Sequence, residues 1–400
     1  MNRPVLEVAD IFRAFAGKFI EHSRTRISWP QHKVIRAIER CRSAALGRHR
    51  DRCTQCGEDL GWSFNSCRNR HCPKCQTARR DQWVAARTRE LVPVHYFHIV
   101  FTVPHQLSAL MLQNKRLLYN LLFRCASATL LEVAANPKWL GADIGFLCVL
   151  HTWGQTLTHH PHLHCVVPAG GFTPGGDAWV RPRSAGFFAP KQVLATVFRG
   201  KFYEGLKSLY RRRQLALHGS LAWLAEPRGF ARFLRLLHCD TWIVDVRKPF
   251  GGPEHVLHYL ARYTHRVAIS NHRLISMKDG KVTFRWKDYA HGGKKRKMTL
   301  TAEEFIRRFL LHVLPKGLVR IRYYGWMANR CRNERVDRCR ELLAEAVETE
   351  HSEAAEAKPS HPPVPGRRCP HCGGAVETVE VIAPRELRPW RCRRREPDTS

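Results

Sequence analysis

VLHTWGQTLTHHPHLHCVVPAGG, residues 149–171, reads as two alternating strands joined by a turn. Side chains alternate along an extended strand, so His162 and His164 share one face while Leu163 points the opposite way, into a core. That arrangement presents two imidazoles to one metal ion. The run from Leu150 to Gln155 alternates too, with His151, Trp153 and Gln155 on one face, and Thr158 to Pro161 carries the turn. Gln155 is then placed to supply a third, oxygen ligand. Taken alone, the histidine pair also suits the interior of an ordinary hairpin, and its meaning rests on what surrounds it.

Upstream, VPVHYFHIVFTVP (92–104) is β-branched and aromatic up to Pro104, as in a central strand, and follows a helical pattern from Gln82 to Leu91. Lys115 to Val133 and Lys191 to Leu217 have helical spacing, and Asp240 to Val246 reads as a strand. Val267–Met277 and Val282–Lys287 flank the turn Lys278–Lys281 as a hairpin, followed by the basic loop HGGKKRK (291–297). Thr301 and Glu304 form a capping box ahead of a helix over Phe305–Val313, and Leu318–Tyr323 is one more strand. A charged helix runs from Met327 to about Glu350. Strands and helices mixed in this way predict an α+β fold. Between Asp240 and Val267, Glu254 to Thr264 is helical in character and sets Tyr259 and Tyr263 at i and i+4, on one face.

The chain has 67 Lys and Arg against 34 Asp and Glu, a formal charge of +33, which is the footprint of a polyanion partner, nucleic acid before any other. No uninterrupted apolar run approaches the roughly 20 residues of a membrane-spanning helix. The first twenty residues carry acidic side chains and lack the apolar core and cleavage site of a secretory signal, so a cytoplasmic, nucleoid-associated protein is expected. Fifteen cysteines in such a reducing compartment point to metal rather than disulfides.

Two amphipathic helices, over Pro4–His22 and from Pro30, precede CTQCGEDLGWSFNSCRNRHCPKCQ (53–76). Cys53 and Cys56 form one pair and Cys72 and Cys75 another, fifteen residues apart, the spacing of a zinc ribbon. Cys41, His49, Cys67 and His71 lie around them and supply either a second zinc site or ordinary buried thiols and surface histidines. Arg68, Arg70, Lys74, Arg79 and Arg80 crowd the same module and are candidates for phosphate contacts. Residues 346–368, rich in Pro, Ala and Glu at their centre, read as a linker, and residues 369–400 as a basic tail in which Cys369 and Cys372 offer half of a zinc site.

SCRNRHCPKCQ (66–76), HTWGQTLTHHPHLHCVVPAGG (151–171) and KPFGGPEHVLHYLARYTHRVAISN (248–271), in this order, resemble the two-tyrosine HUH transposases of the insertion sequence 91 type over roughly residues 30 to 330. The resemblance implies an HUH-nuclease-like central antiparallel sheet flanked by helices in residues 91–345, preceded by a helical, zinc-ribbon domain in residues 1–90. It implies that His162 and His164, with Gln155 ahead of His151 or His160 as third ligand, hold a catalytic magnesium or manganese ion. Tyr259 or Tyr263 would then attack a phosphodiester of single-stranded element ends, with Lys248 and Arg262 assisting and structural zinc at the cysteines. The chain has no GxxxxGK[ST] loop, which fits strand transfer without nucleotide hydrolysis. An HUH replication initiator or relaxase, and a zinc-finger regulator without catalysis, are the competing readings.

Overall fold

The computed structural model describes residues 6–184, 188–247, 267–348 and 368–384. Helices α1 (Val8–His22) and α2 (Trp29–Glu39) lead to strands β1 (Arg48–Cys53) and β2 (Asp59–Phe64) and to α3 (Pro73–Thr88). Then come β3 (Tyr96–Thr102), α4 (Leu107–Gln113), α5 (Lys115–Ala135), β4 (Gly145–Trp153) and β5 (His159–Pro168). The short pair β6 (Gly171–Phe172) and β7 (Trp179–Val180) is followed by α6 (Lys191–Arg211), α7 (Pro227–Cys239) and β8 (Ile243–Arg247). Past the segment 248–266, which lies outside the described residues with Lys248, Tyr259, Arg262 and Tyr263, are β9 (Leu274–Lys278), β10 (Lys281–Asp288) and β11 (Lys294–Thr301). Helix α8 (Ala302–Leu311), β12 (Ile321–Gly325), α9 (Arg332–Glu348) and β13 (Val376–Ile382) complete the order.

The largest sheet is antiparallel, in the order β12-β4-β5-β3-β8. Alternation divides its side chains cleanly. Phe97, Ile99 and Phe101 of β3, Phe146, Cys148 and Leu150 of β4, and Leu163, Cys165 and Val167 of β5 face a core shared with α4, α5, α6 and α7. Burying each large apolar side chain there contributes roughly 1.5–3 kcal/mol. Helix α5 is long and apolar enough to cross a membrane, but Leu118, Leu122, Ala126 and Leu130 are buried in this core. The opposite face carries Leu147, Val149, Tyr96 and Val166, which pack on α9 through Val336, Cys339 and Leu343. The same parity places His98, His151, His162 and His164 on that opposite face.

A second core joins α1, α2 and α8 to the sheet β11-β10-β9, so the N-terminal helices share their packing with residues 267–313 instead of closing a separate domain. The HGGKKRK stretch is not wholly loop: from Lys294 it is strand β11, pairing along all of β10. Its lysines gave no alternation signal because only Met298 and Leu300 meet the core. The third sheet is β13-β1-β2, and residues 368–384 therefore belong to the N-terminal zinc-binding region rather than to a free tail.

His312, just past α8, ties these layers together. It is 1% exposed, its Nε2–H donates to Leu157 O (3.1 Å), and its Nδ1 faces the Thr152 hydroxyl (3.2 Å). Burial pushes its pKa down to about 3, and burial does the same to His71, whose Nε2 accepts from the Leu314 backbone N–H (3.1 Å). A histidine with a lowered folded pKa binds its proton more tightly when unfolded. The native state therefore keeps its full stability above about pH 6.5 and loses about 1.4 kcal/mol per pH unit for each such group as pH falls toward 3. Urea titrations at pH 7.5 and 5.5 should show this loss, with a shallower fall in His312→Gln than in the wild type; parallel slopes would remove His312 as a contributor.

Candidate active site and zinc site

His151 on β4 lies directly opposite His162 on β5, and His164 sits one turn of the pleat further along the same face. One ring nitrogen from each of the three lies within 4.8 Å of the others, with ring centroids 4.3 Å (His151–His164), 4.9 Å (His162–His164) and 5.4 Å (His151–His162) apart. The imidazole that joins the pair is that of His151, whereas Gln155 stands in the turn beyond the strand. Strand β4 ends at Trp153 and the register shifts between His151 and Trp153, so alternation does not extend to position 155. The turn runs over Gly154–Thr158, where Gly154 N donates to Thr158 O (2.9 Å), earlier than the sequence suggests. Gln155 sits in that turn, its Oε1 accepting weakly from Lys287 N (3.4 Å). His160 is not part of the cluster, although its ring lies 5.2 Å from that of His162.

Hydrogen bonds orient the imidazoles. His162 Nδ1–H donates to the carbonyl of His160 (2.7 Å), which leaves Nε2 carrying the lone pair. His164 Nδ1 lies 2.8 Å from Nε2 of His98 on β3, the two rings nearly parallel (4°). With Nδ1 engaged there, Nε2 of His164 is the nitrogen that would ligate a bound metal ion. Burial pushes His162 and His98 down to about 4 and His164 well below the ordinary histidine range, so His162 and His164 are neutral at pH 7, as ligation of a cation requires, and the supporting His98 is neutral with them. This donor set fits a divalent ion, and three protein ligands leave coordination positions open. His98, which the sequence did not single out, positions His164: His98→Leu should weaken metal binding about 10- to 100-fold in a calorimetric titration, while His98→Gln should recover part of it.

The three histidines open into a cavity of about 800 Å³ between the central sheet and β10, lined also by Lys191, Asp245, Arg247, Arg273 and Lys287. Asp245 is held by Lys191 Nζ (2.9 Å) and Arg247 Nε (2.8 Å); burial opposes its charge, but these cations outweigh burial and keep its carboxyl below the usual range. Arg273 donates to the carbonyls of Arg285 (2.7 Å) and Gln155. The wall is therefore cationic. Arg247, just before the segment 248–266, and Arg273, seven residues after it, both line the cavity.

The cysteines regroup. Cys53 and Cys56 do not meet Cys72 and Cys75; Cys41 and Cys67 do. The Sγ atoms of Cys41 and Cys67 are each 3.5 Å from Cys75, and Cys72 is 3.7 Å from Cys41. Tetrahedral zinc–thiolate bonds of about 2.3 Å put sulfurs about 3.8 Å apart, so the set fits structural zinc. Cys72 caps α3 and Cys75 lies in its first turn, where the helix dipole favours thiolates. His49, bonded to Asn65 (2.6 Å), and His71 take no part. Arg70 and Lys74 are committed to the protein: Arg70 donates to the carbonyls of Leu318 and Pro315 (2.7 and 2.8 Å), and Lys74 pairs with Glu7 (2.6 Å). Arg68 remains exposed. Sequence spacing counts residues between cysteines, but it cannot say which turns meet.

A cysteine-knit N-terminal region attached to an antiparallel sheet with a histidine cluster in a cationic cleft defines an α+β, metal-binding protein built to face a polyanion. Residues 11–103 match the family described as "Transposase zinc-binding domain", and residues 145–335 the family described as "Putative transposase". Over 388 residues the chain is 49% identical to "Putative transposase y4qJ" of Sinorhizobium fredii (strain NBRC 101917 / NGR234), covering 96% of this chain and 97% of that protein. Over 284 residues it is 29% identical to "Transposase for insertion sequence element IS801" of Pseudomonas savastanoi pv. phaseolicola, covering 71% and 66%. The chain belongs to the insertion sequence 91 family of transposases, with its N-terminal zinc-binding domain. No solved structure matches it.

Proposed function

We propose that this transposase cleaves and rejoins single-stranded DNA at element ends by metal-assisted tyrosine attack, in an HUH-type centre on the central sheet. The observation carrying this reading is the convergence of His151, His162 and His164 in a cleft walled by Lys191, Arg247, Arg273 and Lys287. These histidines hold the divalent ion, which when bound supplies Lewis-acid polarisation of the scissile phosphate. Three imidazoles suit manganese or a softer ion better than magnesium. The cationic side chains bind the phosphates on either side and lower the cost of forming a phenolate. Tyr259 or Tyr263 then forms a bond from Oη to phosphorus while the bond to the 3′ oxygen breaks, leaving a 5′-phosphotyrosine and a 3′-OH that takes up a proton. Because the phosphotyrosine conserves the bond energy, reversal onto another 3′-OH needs no nucleotide. Residues 1–90 with the strand around Val376–Ile382 form the zinc-bearing module, and residues 91–345 the catalytic part. Incubating the protein with single-stranded DNA spanning the element ends and manganese should yield a denaturant-resistant protein–DNA adduct that chelation before mixing prevents. Cleavage of duplex DNA without any adduct would overturn the mechanism.

A further inference from the structure

We propose that Cys53, Cys56, Cys369 and Cys372 bind a second zinc ion, which clips the C-terminal strand β13 onto the N-terminal sheet. All four Sγ atoms lie within 4.8 Å of one another, with Cys53–Cys372 at 3.4 Å and Cys56–Cys369 at 3.7 Å, close to the sulfur separation of a tetrahedral zinc site. Cys369 and Cys372 fall outside both family-matched regions.

The two CxxC turns repeat one geometry although more than 300 residues separate them. In each, the first cysteine's N–H donates to the carbonyl five residues on: Cys53 to Glu58 and Cys369 to Gly374, both 2.9 Å. In each, the glycine after the second cysteine donates back to the first cysteine's carbonyl: Gly57 to Cys53 (3.2 Å) and Gly373 to Cys369 (2.9 Å). Both glycines have φ +73° and open space where a Cβ would stand, so glycine is needed for its backbone angle rather than for room. Backbone N–H groups point at the sulfurs: Gln55 N and Cys56 N at Cys53 Sγ (3.4 and 3.5 Å), and Gly374 N at Cys372 Sγ (3.3 Å). Such N–H groups stabilise thiolate charge.

Something must hold β13 in place, and its packing does not. Val379, Val381 and Ile382 are 42%, 67% and 39% exposed, so the strand contributes a ladder with β1 and little buried surface. A three-stranded sheet without a core is marginal on its own. The metal supplies the missing closure at the end where Cys53 pairs with Val376 and Thr54 N donates to Ala375 O (2.9 Å).

Elemental analysis of the purified full chain tests this. The variants Cys53→Ser/Cys56→Ser and Cys369→Ser/Cys372→Ser should each lose one zinc per chain, and the quadruple variant should still lose only one, because the pairs share an ion. A quadruple variant that loses two, or a tail variant that loses none, overturns the proposal, as does thiol titration finding these cysteines oxidised to disulfides. Because a variant fold could lose metal for other reasons, a protease site inserted between residues 352 and 366 of the otherwise unchanged protein gives a second measurement. After cutting, the C-terminal fragment should co-elute with the body and leave it on zinc chelation; a fragment that leaves the zinc-loaded body overturns the clip.

Discussion

Replacing both Tyr259 and Tyr263 by Phe should lower covalent protein–DNA adduct at least about 10³-fold, with zinc content and single-strand binding unchanged. Phenylalanine keeps the ring and removes only the Oη that would bond to phosphorus, so a structural role for the two tyrosines would not produce this loss. The chain enters the tyrosine-bearing segment from β8, whose Asp245 and Arg247 line the cleft, and leaves it ahead of Arg273, which lines it too. The single variants separate the roles: the one that forms no adduct names the first nucleophile, and one that forms an adduct without a rejoined strand names the second. Undiminished adduct in the double variant would move the nucleophile elsewhere in the chain.

What the sequence made legible was local. The alternation that put His162 and His164 on one face, the capping of α8 by Thr301, which accepts from Glu304 N (3.2 Å), and the β9–β10 hairpin over Asp279 and Gly280 all depend on neighbours in the chain, and all stand in the fold. What it hid was long-range. His98 reaches His164 only because Val100 lies opposite His164 in the β3–β5 register, and a register between strands some 60 residues apart leaves no periodic trace. Likewise Cys53 and Cys56 meet Cys369 and Cys372, rather than the nearer Cys72 and Cys75, because β1 pairs with β13. The nearer pair is taken by Cys41 and Cys67, which follow α2 and precede α3. Gln155 left the histidine face for a third reason, the strand ending at Trp153 two residues short of it.

That last difference yields a sharp test of the centre. His151→Ala should cut manganese-dependent cleavage about 10³-fold and shift its metal dependence to much higher concentration, since it removes one of three imidazoles whose nitrogens lie within 4.8 Å of one another. Gln155→Ala should stay within about 3-fold of the wild type, because among the described residues the Gln155 side chain makes only a long hydrogen bond, to Lys287 N, and its carbonyl contact with Arg273 survives the change. The reverse ranking would restore the glutamine as ligand and require the Gly154–Thr158 turn to rearrange when the metal binds. The conservative change His151→Gln discriminates further: an amide oxygen there should retain more activity with magnesium than with zinc, since replacing a nitrogen donor by oxygen moves the site toward harder ions. A preference for the softer ion that survives this change would mean that His162 and His164, with His98 behind His164, already determine which metal binds.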